Sequence, residues 1–315
     1  MLSRSDSSPR AKWNPMLSLR RDWPLYLMML PGIIYYILFV YTPMYGVTIA
    51  FRDYSIYSGF SDAPFVGLKH FESLFAKSGF IRALNNNIII SMMKLLIGFP
   101  APIILTLLIN EVRGKRYKKF VQTSIILPNF VSWIVINGLL FAMFSSTNGA
   151  IPGLIRALGY KGQIHNILSD KNLFRWVIAF TDMWKNAGIG TIVYLAAVAG
   201  IDQSLYESAM MDGAGRWAQT WHVTLPGIRS TILIMLILRV GNIMDAGFDQ
   251  IFAMSNSIVK SVCDIIDTYV YDLGLTKRNY SVATAAGLFK STIGLVLVCT
   301  TNVIARRIDP ESGIL

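Results

Sequence analysis

Apolar residues gather into six runs, at about 24–45, 88–109, 120–144, 173–199, 226–248 and 283–304, with polar segments between them. Each run approaches or exceeds the ~20 residues that an α-helix needs to cross the hydrocarbon core of a bilayer. Within that core every backbone amide must find its partner inside the chain, so runs of this length predict helices. The pattern therefore predicts an all-α integral membrane protein with six transmembrane helices. Prolines interrupt the runs at Pro31, Pro100, Pro102 and Pro128. The Pro100–Pro102 pair predicts a kink, because each ring removes a hydrogen bond to the preceding turn. Pro24 and Pro226 suit first turns of helices, where the missing N–H costs nothing.

Charge adds orientation. Only 15% of residues are charged, against roughly a quarter in soluble domains. The net charge of +11 raises the question of nucleic acid, but the basic residues form no continuous stripe. They cluster at Arg4, Arg10, Lys12, Arg20 and Arg21, in the segment 111–119 (EVRGKRYKK, five basic residues in nine) and at Arg306-Arg307. Basic residues beside membrane helices mark the cytoplasmic side. The expected layout is a cytoplasmic tail at 1–23, a membrane domain at 24–305 with a cytoplasmic loop at 201–226, and a cytoplasmic tail at 306–315. Segments 46–87, 145–172 and 249–280 are then outer loops. The first run is too long for a cleavable signal peptide, and no small-residue cleavage site follows it.

The inventory of reactive groups is sparse. Cys263 and Cys299 build no disulfide framework, and His70, His165 and His222 have no paired ligand spacing, so no metal site is expected. There is no G-x-x-x-x-G-K-[ST] phosphate loop and no G-x-S-x-G elbow. The chain is expected to be no enzyme and to bind no cofactor.

The most specific polar stretch is 206–226, YESAMMDGAGRWAQTWHVTLP. Ser204-Leu-Tyr-Glu207 fits a capping box, which predicts a short helix over 205–212. Gly213 and Gly215 supply a stop and a sharp turn, and 216–220 can form a second short turn before Leu225-Pro226. Tyr206, Met210, Trp217 and Trp221 also suit an amphipathic helix lying among lipid headgroups.

The spacing goes further than amphipathicity. Glu207-Ser208-Ala209, three residues, Gly213, nine residues, Val223, one residue, Leu225-Pro226 resembles the EAA signature of permease subunits of binding-protein-dependent ABC importers. Ser208 and Val223 depart from it by small changes of size. The opening RRDWPLYLMMLPGIIYYILFVYTPMYG and the stretch RVGNIMDAGFDQIF resemble the polysaccharide-type LplB/YteP group, which includes alginate importer permeases. The resemblance implies a type I importer fold and a coupling helix that docks on a separate ATPase, through Glu207, Ser208, Ala209, Asp212, Gly213, Ala214, Leu225 and Pro226. It also implies two ATPase subunits holding ATP and Mg, a second and related permease, an extracytoplasmic solute-binding protein, and a place in the bacterial inner membrane.

Ionisable residues at membrane depth are costly and mark candidate pathways. Here they are Lys94, Asp182, Lys185, Arg239, Asp245 and Lys290, four basic against two acidic. The blander expectations are that Asp182 pairs with Lys185 three residues on, that Lys94 snorkels to the outer interface, and that Arg239 bridges to a partner subunit. The positive excess suits an anionic cargo, such as uronic-acid chains of the alginate kind. Trp133, Asn137, Trp184 and Asn242 join the candidate sugar pathway, with Tyr194, whereas Trp176 suits an interfacial belt. The alternative is a secondary ion-coupled solute carrier, but no inverted repeat is visible between the halves.

Overall fold

The computed structural model describes residues 22–57, 59–60 and 62–308. Most of the two terminal tails, with Arg4, Arg10, Lys12, Arg20 and Arg21, lies outside the described residues. The described chain is helical, and its β structure is one isolated bridge between Arg52 and Phe65.

Two compact units divide at Thr48. The first contains α1 (Trp23–Tyr36), with Pro24 in its first turn and Pro31 inside it. The helical path continues through a wide turn, Ile37–Tyr41. A short helix, Thr42–Met44, also belongs to the first unit, and the second holds the helices from Lys69 onward. Three stretches are long and apolar enough to cross a membrane: Trp23–Phe51, Ser78–Asn110 and Tyr280–Ile304. Three bent pairs also qualify when each is taken as one span, giving three to six candidate spans.

The second apolar run begins earlier than its hydrophobicity suggests. α2 (Ser78–Gly98) starts ten residues before the expected 88 and takes in Asn86 and Asn87, both buried. α3 (Pro100–Asn110) follows a break at Phe99, where Pro100 ends the ladder as expected. The third run is the main departure from a simple span. α4 (Lys115–Ile126) passes through a tight turn, Leu127–Phe130, to α5 (Trp133–Phe144), and the axis turns by 102°. Pro128 breaks the first half, and Ser132 starts the second by accepting the Val135 N–H at 3.4 Å.

α6 (Phe174–Ala199) runs parallel to α2 and α3. Arg175 meets Asn86, Lys94 meets Asp182, and Thr106 meets Thr191, so contacts rise together along both helices. α8 (Arg229–Gly241) turns back along α6, with Arg239 beside Asp182 and Ile228 in a cluster with Tyr194 and Val198.

The fifth helix stops at Gly241, seven residues short of the expected 248. The segment expected as an outer loop at 249–280 is folded instead. It forms α9 (Phe248–Met254), a turn at Lys260–Cys263 and α10 (Ile266–Tyr271) before α11 (Tyr280–Ile308). Ile251, Met254, Val259, Cys263 and Ile265 pack with Ile90, Phe174 and Ile178 in one buried cluster. Buried backbone needs partners, and side chains from distant helices supply them. Asn86 Nδ2 donates to the Ser261 and Asp264 carbonyls at 3.1 and 3.0 Å. Asn87 Nδ2 donates to Met244 O at 3.1 Å, and Arg175 Nε donates to Val262 O at 3.0 Å.

Candidate functional site

Two sites stand out, one exposed loop and one buried charge cluster. The loop begins with α7 (Gln203–Met211), and its cap differs from the expected box. Asp202, not Ser204, is the capping residue: its carboxylate accepts the Ser204 N–H at 2.9 Å. That bond holds the Asp202 carboxyl below the usual carboxylate range.

The far end of α7 closes on itself. The Ala214 N–H donates to Ala209 O at 2.9 Å and the Gly213 N–H donates to Met210 O at 3.0 Å. This pair of bonds is the Schellman ending, which requires a left-handed residue between the helix and its exit. Gly213 takes that position with φ 77°, which explains a glycine there. A short helix, Arg216–Gln219, and a wide turn, Thr220–Thr224, return the chain to Leu225–Gly227.

The loop is tied across its base. Tyr206 Oη and Thr224 Oγ1 lie 3.0 Å apart, and Gln219 Nε2 donates to Ala214 O at 2.8 Å. Arg216 pairs with Glu111 at 3.1 Å, so the basic segment 111–119 lies at the same end as the loop. Glu207, Ser208, Asp212, Gly213 and Pro226 are exposed, while Ala209, Ala214 and Leu225 are half-buried. Met211 is 88% exposed and Trp217 79% exposed, so the loop presents apolar side chains outward beside its polar ones. All eight expected residues thus lie on this tied loop, five exposed and three half-buried.

The charge cluster lies deeper, where α2, α6, α8 and the chain before α9 meet. Lys94 does not snorkel; only 4% of it is exposed. Its ammonium has three N–H groups and three partners: Asp182 Oδ1 at 3.1 Å, Gln250 Oε1 at 2.5 Å and Ala246 O at 2.8 Å. Such complete pairing is what makes a buried charge tolerable. Gly247 passes next to this ammonium with φ 90°, and a Cβ there would come within 2.9 Å of Lys94 Nζ.

Asp182 pairs with two cations, neither of them Lys185. Besides Lys94 it meets Arg239 Nη2 at 3.3 Å through Oδ2, and it accepts Asn186 Nδ2 at 3.2 Å. Lys185 turns to the break between α4 and α5. Its ammonium donates to Asn129 O at 2.8 Å, to Val131 O, and at 3.4 Å to Pro128 O, which also accepts the Val131 N–H at 3.2 Å. The Trp133 ring lies 5.4 Å from the same ammonium.

The other expected pathway residues scatter. Lys290 is held by both oxygens of Asp267 at 2.6 and 2.7 Å. Asn137 Nδ2 donates to Ala253 O at 2.8 Å. Trp184 is half-exposed along an apolar cavity of about 570 Å3 that Trp176 also lines. Asn242 and Asp245 are exposed on the turn after α8. Arg239 keeps 42% of its side chain exposed and lines a cavity of about 170 Å3 with Asp182, Asn186 and Tyr194.

Asn86, Asn87, Gln250, Asn186 and Asp267 were not anticipated from the sequence. One signal did exist. Asn86, Asn87, Ser91 and Lys94 recur at helical spacing, which is a polar stripe rather than the end of a loop.

Comparison with known proteins fits this architecture. Bacillus subtilis LplB is 47% identical across 94% of this chain and 92% of its own length. The polygalacturonan/rhamnogalacturonan transport system permease protein YteP of the same organism is 44% identical over 91% of this chain and 89% of its own. A crystal structure of a bacterial alginate ABC transporter, in complex with an alginate pentasaccharide-bound periplasmic protein, contains a chain with TM-score 0.85 and 40% identity. That match covers 93% of this chain and 97% of the other. Residues 98–310 match the family described as binding-protein-dependent transport system inner membrane component, and the chain belongs to that family.

Proposed function

We propose that the chain is the membrane-spanning permease subunit of an ATP-driven importer of acidic oligosaccharides. It crosses the bacterial inner membrane six times, with both termini and the 201–226 loop in the cytoplasm. The domain layout is a tail at 1–23, the permease domain at 24–305 and a tail at 306–315. The parallel course of α2–α3 and α6, with α8 returning, supports the six-span count. The basic segment 111–119 beside the loop supports the cytoplasmic side.

The observation that carries the coupling role is the shape of the exposed loop. A short helix capped at both ends and tied across its base behaves as a rigid peg, and a rigid peg transmits a push that a flexible strand would absorb. Glu207, Ser208, Ala209, Asp212, Gly213, Ala214, Leu225 and Pro226 form the ridge that meets a separate ATPase subunit. ATP and Mg belong to that partner. Two ATPase subunits, a second related permease and an extracytoplasmic binding protein complete the assembly, and ATP-driven closure alternates access to a path between the permeases.

On that path the half-exposed Arg239 is the cation best placed to meet an anionic sugar, with Asn242 and Asp245 beside it. Lys185 adds positive charge with Trp133 beside it, whereas Lys94 and Lys290 are offset by Asp182 and Asp267, and Asn137 and Trp184 stand in the surrounding wall. The polygalacturonan and alginate transport of the related proteins supports an acidic cargo.

The test is ATP hydrolysis by the purified four-subunit complex with its binding protein. Glu207→Ala and Gly213→Pro are expected to abolish sugar-stimulated hydrolysis while the subunits still co-purify. Full stimulation in both variants, or solute movement by this chain alone down an ion gradient, would overturn the reading.

A further inference from the structure

The folded segment 248–276 encloses a cavity of about 350 Å3, which shares no lining residue with the cavity at Arg239 or with the one beside the 201–226 loop. Cavities of ~300–1,000 Å3 are the usual size of small-molecule sites. Phe252 and Tyr271 line it, with ring centres 5.1 Å apart, and Phe248 stacks on Phe252 at 5.2 Å. Phe252 is 52% exposed, so this aromatic wall is open to an occupant. Ser255, Ser257, Lys260 and Thr276 are among the polar lining, and none of their side chains makes a hydrogen bond or ion pair among the described residues.

The acids of the cavity are engaged, whereas its lysine is not. Asp264 accepts the Thr268 hydroxyl at 2.7 Å, and Asp272 pairs with Lys277 at 2.7 Å. Lys260 is the one cation among the lining residues, between hydroxyl groups and an aromatic wall, with the Asp264 carboxylate turned to Thr268. Each part matches one part of a sugar acid. The C–H face of a pyranose ring is slightly positive and lies favourably on the negative face of an aromatic ring. Ring hydroxyls exchange hydrogen bonds with serine and threonine, and an ammonium meets a carboxylate.

We propose that this cavity is a saccharide subsite for one uronate residue, its ring against Phe252 and Tyr271 and its carboxylate on Lys260. It rests on the acidic-sugar reading above and lies at the end opposite the coupling loop, where the binding protein releases its cargo. The chain then grips the oligomer at two places, at this mouth and at Arg239.

The experiment is uptake by the complete transporter in proteoliposomes, with a uronate pentasaccharide and with its carboxyl-reduced, neutral counterpart, at limiting sugar-loaded binding protein. Lys260→Gln is expected to slow uronate uptake about tenfold, as befits one hydrogen bond to a charged group, and to leave neutral uptake unchanged. Phe252→Leu is expected to slow both. Wild-type uronate uptake in both variants would overturn the subsite while leaving acidic-sugar import intact. If the parent protein carries only the neutral oligomer, the acidic reading fails. A slowing of that uptake by Phe252→Leu then upholds a saccharide subsite without the uronate, and no slowing overturns the subsite as well.

Discussion

The 201–226 loop and the 248–276 segment both interrupt the apolar helices, yet they are built in opposite ways. The loop satisfies its backbone locally: Asp202 caps one end of α7, the Ala209 and Met210 carbonyls close the other, and Tyr206 reaches only as far as Thr224. The outer segment borrows its partners from far along the chain. Asn86, Asn87, Arg175 and Leu168 hold it from α2, α6 and the turn before α6, Asn87 by accepting the Ile266 N–H. Gln250 joins it to the charge cluster, accepting from Lys94 and donating to Ile178 O. A locally built element can be pushed as a unit, whereas one pinned by several helices must move with them.

The largest expected effect comes from removing the shared anion of the long-range network. Asp182→Ala leaves Lys94 buried beside Arg239 without its hydrogen-bonded counter-charge. Breaking one partner of a buried ion pair costs about 3–5 kcal/mol. The variant is expected to express poorly and to show a lower midpoint of thermal unfolding in detergent, whereas Lys94→Met with Asp182→Leu recovers part of the loss. A single Asp182→Ala protein with parental stability would mean that the cluster does not hold the outer segment.

A smaller effect separates the two constructions directly. Asn86→Ala takes the side-chain donor from the Ser261 and Asp264 carbonyls, at about 1–3 kcal/mol for each buried group left without a partner, and removes one of the two acceptors of Arg175. Asp202→Ala removes a cap on an exposed helix, which water replaces in part. Thermal unfolding of the assembled complex is expected to fall for Asn86→Ala and to be unchanged within error for Asp202→Ala. Stimulated ATP hydrolysis is the readout that Asp202→Ala depresses. Equal loss of stability in both would break the distinction.

That difference in construction also decides what was legible. Glu207, Gly213 and Leu225-Pro226 sit at fixed spacing because their geometry is local, so the sequence carries it whole. Even the cap was misplaced by only two residues, since Asp202 and Ser204 are both capping types. The all-helical character, with three to six candidate spans, was legible for the same reason. The 102° turn between α4 and α5 was not, because Pro128 announces a break but not that Lys185, 57 residues on, will hold the carbonyls there. Asp182 was matched to Lys185 by helical spacing, and lost to Lys94, 88 residues away, for lack of any local sign. Asn86 and Asn87 read as the end of a loop because amides are poor in lipid, and only packing reveals that they serve a neighbour's backbone.

The smallest expected effect uses Cys263 as a reporter on the pinned segment. The thiol lies in the buried cluster with Ile90 and Phe174, and burial, aided by the neighbouring Asp264 charge, pushes it up to about 12. A raised value means that the neutral thiol is favoured, so at pH 8 only on the order of one molecule in ten thousand carries the reactive thiolate. In a Cys299→Ser background, maleimide labelling of Cys263 is expected to be far slower than that of a free thiol and to rise about tenfold per pH unit up to pH 10. Asn86→Ala loosens the backbone on either side of this residue, at Ser261 and Asp264, and is expected to speed labelling at pH 8. Asp202→Ala, acting at the other end of the molecule, leaves it unchanged. Rapid labelling of the parent protein at pH 8 would show the segment opening freely, and with it the long-range pinning would fail.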